Sequence, residues 1–433
     1  MKIIDGGVTA AKGFKAAGMH AGIKKGTKKD MAMIVSSAPC MAAGTFTTNL
    51  VKAAPVKWDQ HVVYEHGEAR AVVVNSGIAN ACTGAEGYGY CKATADAASE
   101  ILGIPADSVL VASTGYCEET AKAAAEALGI DKDEVLVAST GVIGKQLPID
   151  TIKKGVKDLS GLLLDTREAA TLAAESIMTT DTVKKEVAVE VEIGGKTVTI
   201  GGMCKGSGMI HPNMCTMLSF LMTDAAISKE MLQKALSADV DDTYNMISVD
   251  GDTSTNDTVL LLANGLAENP EITEEGEDYQ TFARALHYIN ETLAKKMAGD
   301  GEGATALFET KVIGAQSKEQ AKILAKSVIC SNLTKAAIFG HDANWGRILC
   351  AMGYSGAKFD PEKVDLYFES AAGKLKIIEN GVALDYSEEE ATKVLSEKAV
   401  TAVADIKMGE ASASAWGCDL TYDYVKINAD YRS

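Results

Sequence analysis

Gly201-Gly202-Met203-Cys204-Lys205-Gly206-Ser207-Gly208-Met209-Ile210-His211-Pro212-Asn213-Met214-Cys215-Thr216 is glycine-rich, is broken by Pro212 and runs directly into the apolar Met217-Leu218-Ser219-Phe220. The pattern predicts an irregular loop that feeds a buried strand, with Thr216 at the junction. A loop held under strain would press the Thr216 hydroxyl against the Cys215 carbonyl. Attack, N-to-O acyl shift and ester hydrolysis would then free a new amino terminus at Thr216. Such a residue carries its nucleophile and its base together, because the α-amine has an unperturbed pKa near neutrality. A glycine-rich turn before a core strand accounts for the same residues, so the rest of the chain has to decide.

Composition narrows the class. The 433 residues are enough for two or three domains and a large core. A net charge of -17, with no Lys/Arg patch, argues against nucleic acid or an anionic membrane as the main partner. Lys24-Lys25 and Lys28-Lys29 read as a solvated turn, whereas Lys205, inside the glycine stretch, is of more interest than the global charge. Met1–Gly7 lacks the apolar core of a signal peptide and no window has the length of a membrane span, which leads to the expectation of a cytoplasmic protein. The nine cysteines, without a C-x-x-C pair, read as small buried hydrophobes in a reducing compartment. His211 and Cys215 have a ligand-like spacing but fall short of a zinc set, so no metal is expected. No G-x-S-x-G elbow or Walker loop is present, and Gly299-Asp300-Gly301-Glu302-Gly303 follows a helical pattern rather than the strand a dinucleotide loop needs.

Alternating strand and helix patterns in the first half, such as Ala71-Val72-Val73-Val74-Asn75, indicate an α/β protein. Residues 90–115 recur as 116–141, a tandem duplication with an offset of 26. Each copy reads as an alanine-rich helix, a Leu-Gly-Ile turn and the strand Val-Leu-Val-Ala-Ser-Thr before a glycine.

Motifs along the whole chain carry a resemblance. They include Ala43-Gly44-Thr45-Phe46-Thr47-Thr48-Asn49, Ala79-Asn80-Ala81-Cys82-Thr83-Gly84, Ser139-Thr140-Gly141-Val142-Ile143-Gly144, Ser248-Val249-Asp250-Gly251-Asp252-Thr253 and Asn344-Trp345-Gly346-Arg347-Ile348. Together with the Lys205 to Thr216 stretch, they make the chain similar to the ornithine acetyltransferase family of arginine biosynthesis, the arginine biosynthesis bifunctional proteins. The resemblance implies a layered α-β-β-α sandwich with a smaller C-terminal subdomain. It also implies self-cleavage into residues 1–215 and 216–433, which would assemble as a dimer of heterodimers. Thr216 would be the nucleophile, Thr140 and Gly141 the oxyanion hole, and Thr179, Lys205, Thr216, Glu302, Asn428 and Ser433 the substrate contacts. The reaction implied is ping-pong transfer of acetyl from N-acetylornithine to glutamate without a cofactor. Acetyl-CoA stays open as a second donor.

The chain departs from the family pattern at several places. Cys215 and His211 replace alanines, Ile78 replaces asparagine and His341 replaces arginine. Cys215 is thereby a rival nucleophile. The family carries one helix-strand unit where this chain has two, so Thr114-Gly115 competes with Thr140-Gly141; the latter continues as the family does. Two other classes share the sequence features. An N-terminal-nucleophile aminopeptidase would pass the acyl group to water, and an uncut inactive paralogue would follow if the duplication displaced the oxyanion strand.

Overall fold

The protein is described by a computed structural model covering residues 1–79, 81, 124, 127–129, 135–143, 148–211 and 217–429. Thr216, Cys215, Ser433, Thr114-Gly115 and the first repeat copy lie outside the described residues.

The apolar run after the glycine stretch forms strand β8 (Leu218–Thr223), buried at every residue, parallel to the equally buried β10 (Thr258–Ala263). Successive side chains of a strand leave on opposite faces. Leu218, Phe220, Met222, Leu260 and Leu262 therefore enter one core, while Leu221, Val259 and Leu261 enter another. Strands buried on both faces need a layer on each side. Helices α2 (Ile149–Ser160) and α3 (Arg167–Ile177) fill the first core. Helices α4 (Lys229–Val240) and α5 (Glu277–Gly299) fill the second.

The first sheet runs β1 (Lys2–Ile4), β6 (Lys185–Ile193), β7 (Lys196–Lys205), β8, β10, β3 (Met31–Phe46), β4 (Glu68–Ile78) and β5 (Val135–Val142), with β2 (Phe14–Met19) also on β3. Helix α1 (Ala54–His61) lies against β3 and β5. A second, seven-stranded sheet is built from β9 (Ile247–Ser248), β11 (Leu307–Ala315), β12 (Asp365–Ser370), β13 (Gly373–Glu379), β14 (Val382–Ala383), β15 (Ala399–Asp405) and β16 (Ala411–Cys418). Helix α5 packs on both sheets. The chain is thus an α/β protein of two sheets with helices on their faces, the class expected. Residues on both sides of position 216 share the first sheet, where β7 and β8 are neighbours.

Three expectations need correction. Gly201–Lys205 is not loop but the last half of β7, paired with β8 from Gly201 opposite Met222 to Lys205 opposite Leu218. The glycines serve close packing rather than a turn: a Cβ on Gly201 would lie 2.1 Å from the Gly7 carbonyl oxygen. Second, Lys24 and Lys29 do not belong to a solvated turn. Lys24 donates to the carbonyls of Lys29 and Met178, and Lys29 pairs with Glu175 at 2.9 Å, while Lys25 and Lys28 are exposed. Third, Cys40, Cys204 and Cys418 are buried, but Cys350 is exposed and Cys330 half-buried.

Candidate active site

Eight separate segments of the described residues meet at one cleft, whose lining includes Thr140, Gly141, Thr179, Lys205, Met217, Glu302 and Asn428. Every described residue of the expected site is among them. Met217, the residue after Thr216, also lies on its wall.

One wall is the end of β5. The second repeat copy supplies this strand, which runs parallel to β4 with Thr140 opposite Ser76 and Gly141 opposite Gly77. Gly141 has φ +130°. Asn256, also on the wall, donates through Nδ2 to the Ser139 carbonyl at 3.3 Å and ties the strand end to the 250s loop.

The opposite side is organised by a buried carboxylate. Asp181 accepts from Lys185 Nζ at 2.7 Å, Gly206 N at 2.8 Å and Thr179 N at 3.0 Å, and Lys205 Nζ stands 3.8 Å from its Oδ2. Burial alone would raise the Asp181 pKa; the ammoniums of Lys205 and Lys185 and the Gly206 amide outweigh it and hold the group well below the usual carboxylate range. Lys185 also reaches Asp300 Oδ2 at 2.5 Å, just past the end of α5. Burial opposes its charge, yet Asp181 and Asp300 raise its pKa. With Asp181 already satisfied by Lys185 and two amides, Lys205 is the cation of this group that lines the cleft. It is 7% exposed and comes from the last position of β7, so it is no surface lysine.

Helix α5 delivers Glu302 two residues beyond Asp300. The Glu302 amide donates to the Ser207 carbonyl at 2.9 Å, and its Oε2 accepts from Asn428 Nδ2 at 2.8 Å. Gly208 makes room for the carboxylate, since a Cβ there would come within 2.3 Å of it. Asn428 sits on the tail helix Tyr422–Ala429, which is tied down by Thr421 Oγ1 donating to the Gly303 carbonyl at 2.8 Å.

The segment leading to the junction is also fixed. Asp250 accepts from the amides of Met209 at 2.7 Å and Ile210 at 2.8 Å, holding Met209 at φ +55°. His211 Nδ1 lies 3.0 Å from Ser248 Oγ and 3.6 Å from Cys330 Sγ. Burial and the Lys326 ammonium push the His211 imidazole down to about 4, so it is neutral at pH 7. Among the described residues no group of three or more His, Cys, Asp or Glu is placed to hold a metal ion, and no helix is long and apolar enough to cross a membrane.

Sequence reading did not single out Asp181, Lys185, Asp300, Asn256 or Gly208. Asp181 stands two residues after Thr179, in Met178-Thr179-Thr180-Asp181-Thr182, and that closeness in sequence is the signal that points to it. Lys185 and Asp300 are 115 residues apart, and nothing local announces their pairing.

The cleft belongs to an α/β protein and is built from both sides of residue 216, with a cation, a carboxylate and a strand-end glycine on its walls. The chain belongs to the ArgJ family, whose model matches residues 15–122 and again 116–433. The two matched segments overlap at the start of the second repeat copy. The Arginine biosynthesis bifunctional protein ArgJ of Caldanaerobacter subterraneus subsp. tengcongensis is 49% identical over 433 residues, covering all of both chains. The protein of the same name from Symbiobacterium thermophilum is 51% identical over 435 residues, again covering all of both. The crystal structure of the Bacillus halodurans protein argJ matches 49% of this chain and 99% of its own, with 48% identity and a TM-score of 0.48.

Proposed function

We propose that the chain cuts itself between Cys215 and Thr216, and that Thr216 then carries acetyl from N-acetylornithine to glutamate. The observation behind the reading is the convergence of Thr140, Gly141, Thr179, Lys205, Glu302 and Asn428 on a cleft beside Met217. Membership of a family whose relatives are named for arginine biosynthesis supports it.

In this mechanism the Thr216 hydroxyl attacks the acetyl carbonyl carbon while its proton passes to the Thr216 α-amine. The tetrahedral oxygen takes hydrogen bonds from the Thr140 hydroxyl and the Gly141 amide; a donor of this kind is worth about 100- to 1000-fold in rate. The C–N bond breaks, the α-amine returns its proton to the departing ornithine nitrogen, and acetyl remains as an ester on Thr216. The α-amine of glutamate attacks that ester and restores the hydroxyl. Lys205 holds the α-carboxylate that both amino acids share, and Glu302, steadied by Asn428, faces the side-chain ammonium of ornithine. Thr179 and Ser433 complete the substrate contacts. Acetyl-CoA is the second donor to assay, and the cut chains would assemble as a dimer of heterodimers in the cytoplasm.

The test is intact mass and acetyl transfer for the wild type beside Thr216→Ala. Two fragments, one ending at Cys215 and one starting at Thr216, with a single species in the variant, are expected. A cut one residue earlier would make Cys215 the nucleophile. Acyl release to water without dependence on glutamate would make the protein a hydrolase, and an uncut wild type would end the proposal.

A further inference from the structure

The peptide group between Met178 and Thr179 is gripped at both ends by side chains of opposite charge. Its carbonyl oxygen accepts from the Lys24 ammonium at 2.6 Å, and its N–H donates to Asp181 Oδ2 at 3.0 Å. A peptide dipole of about 3.5 D has its negative end at the oxygen and its positive end at the N–H, so both charges favour this one orientation. The group so oriented carries Thr179 into the cleft.

Lys24 reaches the other wall as well. Its stem packs over Gly77, where an added Cβ would come within 2.9 Å of Lys24 Cγ, and Gly77 is the register partner of Gly141. The position of Lys24 is itself fixed. Buried Asp30 accepts from the backbone amides of Ala21 at 2.6 Å, Gly22 at 3.2 Å, Ile23 at 2.7 Å and Lys24 at 2.9 Å. The backbone oxygen of Asp30 accepts from the Ser76 amide at 2.8 Å, one residue before Gly77. A loop remote in sequence from every motif of the site therefore braces both walls through one ammonium and its stem.

We propose that Lys24 is a positioning residue for acetyl transfer, aligning the Met178–Thr179 peptide against the Gly77–Gly141 edge. The assignment rests on the proposed function of the cleft. The groups that face the ammonium are Asp30, Asp181, Lys205 and Lys28. Burial is the largest influence on it, and together with Lys205 and Lys28 it pulls the pKa down to about 8 against the attraction of Asp30 and Asp181. The ion–dipole grip therefore weakens within an accessible pH range.

Lys24→Met keeps the stem and removes the charge; Lys24→Arg keeps charge and donors. The measurement is kcat/KM for acetyl transfer from pH 6.5 to 9.5 on self-cut enzyme, with melting temperatures for all three proteins. Lys24→Met is expected to lose about 10- to 100-fold at pH 7, the order of loss that small misplacements cause. The gap should narrow above about pH 8, as the wild-type amine loses its proton, and Lys24→Arg should recover most of the rate. A Lys24→Met enzyme matching the wild type at pH 7 overturns the assignment. So does a loss that is constant across pH and tracks a fall in melting temperature in both variants, since that is packing alone. A wild type that is cut but transfers no acetyl overturns the reading of the cleft and this assignment with it.

Discussion

At φ +130°, with Gly77 across the parallel register, Gly141 has no room for a side chain: an added methyl would lie 2.3 Å from the Gly77 carbonyl carbon and 2.5 Å from its oxygen. Both objections act on the atom that would donate to the tetrahedral oxygen, because the methyl can enter only by turning the Gly141 backbone or by prising β5 from β4. Gly141→Ala should therefore lower kcat by about 100-fold or more, the scale of a lost oxyanion donor. The equivalent change in the first repeat copy, Gly115→Ala, should leave kcat within about twofold, because it is Gly141 that lines the cleft and sits in register with Gly77 of β4. Steady-state rates of the two variants side by side check this. The reverse pattern would move the oxyanion role to Thr114-Gly115.

The tail helix Tyr422–Ala429 shows how an element can matter to a site and little to a fold. None of its residues is buried, and Tyr422 and Val425 are 84% and 63% exposed. It is held by the Thr421 bond to Gly303, the Asn428 bond to Glu302 and an edge-on ring contact between Tyr422 and Phe339. So little apolar area stabilises the molecule only slightly. Ending the chain after Thr421 should shift the melting temperature by no more than a few degrees, yet cost at least about tenfold in kcat/KM, since Glu302 loses its partner. A calorimetric scan with kinetics on the same sample decides; unchanged kinetics would remove the tail from the site. Much of the element level was legible in the sequence. The buried strand after Thr216, the strand around Ala71–Asn75 and the Val135–Val142 strand follow from their apolar runs. Gly201–Lys205 was misread because glycine marks turns by composition but serves here to let two backbones approach, which only the neighbouring Gly7 turn explains. Lys24 was misread for a similar reason. A lysine in a glycine-containing run looks solvated until the fold lays Met178 over it.

Across the whole chain, the family model matches twice, over 15–122 and 116–433, and the two matches overlap where the second repeat copy begins. The strand that pairs with β4 comes from the second copy, Val135–Val142, so residues 79–134 form the connection between two parallel neighbours. Parallel strands need a crossover of about a dozen residues or more. Removing residues 90–115 leaves about 30 of the residues 79–134, which satisfies that requirement. Closure cost changes by only about 0.6 kcal/mol for each doubling of a connection's length, so shortening by this much weighs little on stability. Thr140-Gly141, the Asn256 tether and the register with β4 are all retained in the shortened chain. The deletion variant should accordingly cut itself, transfer acetyl at the parental rate and unfold at equal or slightly higher denaturant concentration. Mass spectrometry for the cut, a transfer assay and a denaturant titration give the three readings on one preparation. Loss of the cut together with a lower midpoint would mean that the first copy has been built into the fold, and that the two Thr-Gly strands are not interchangeable in the way their sequences suggest.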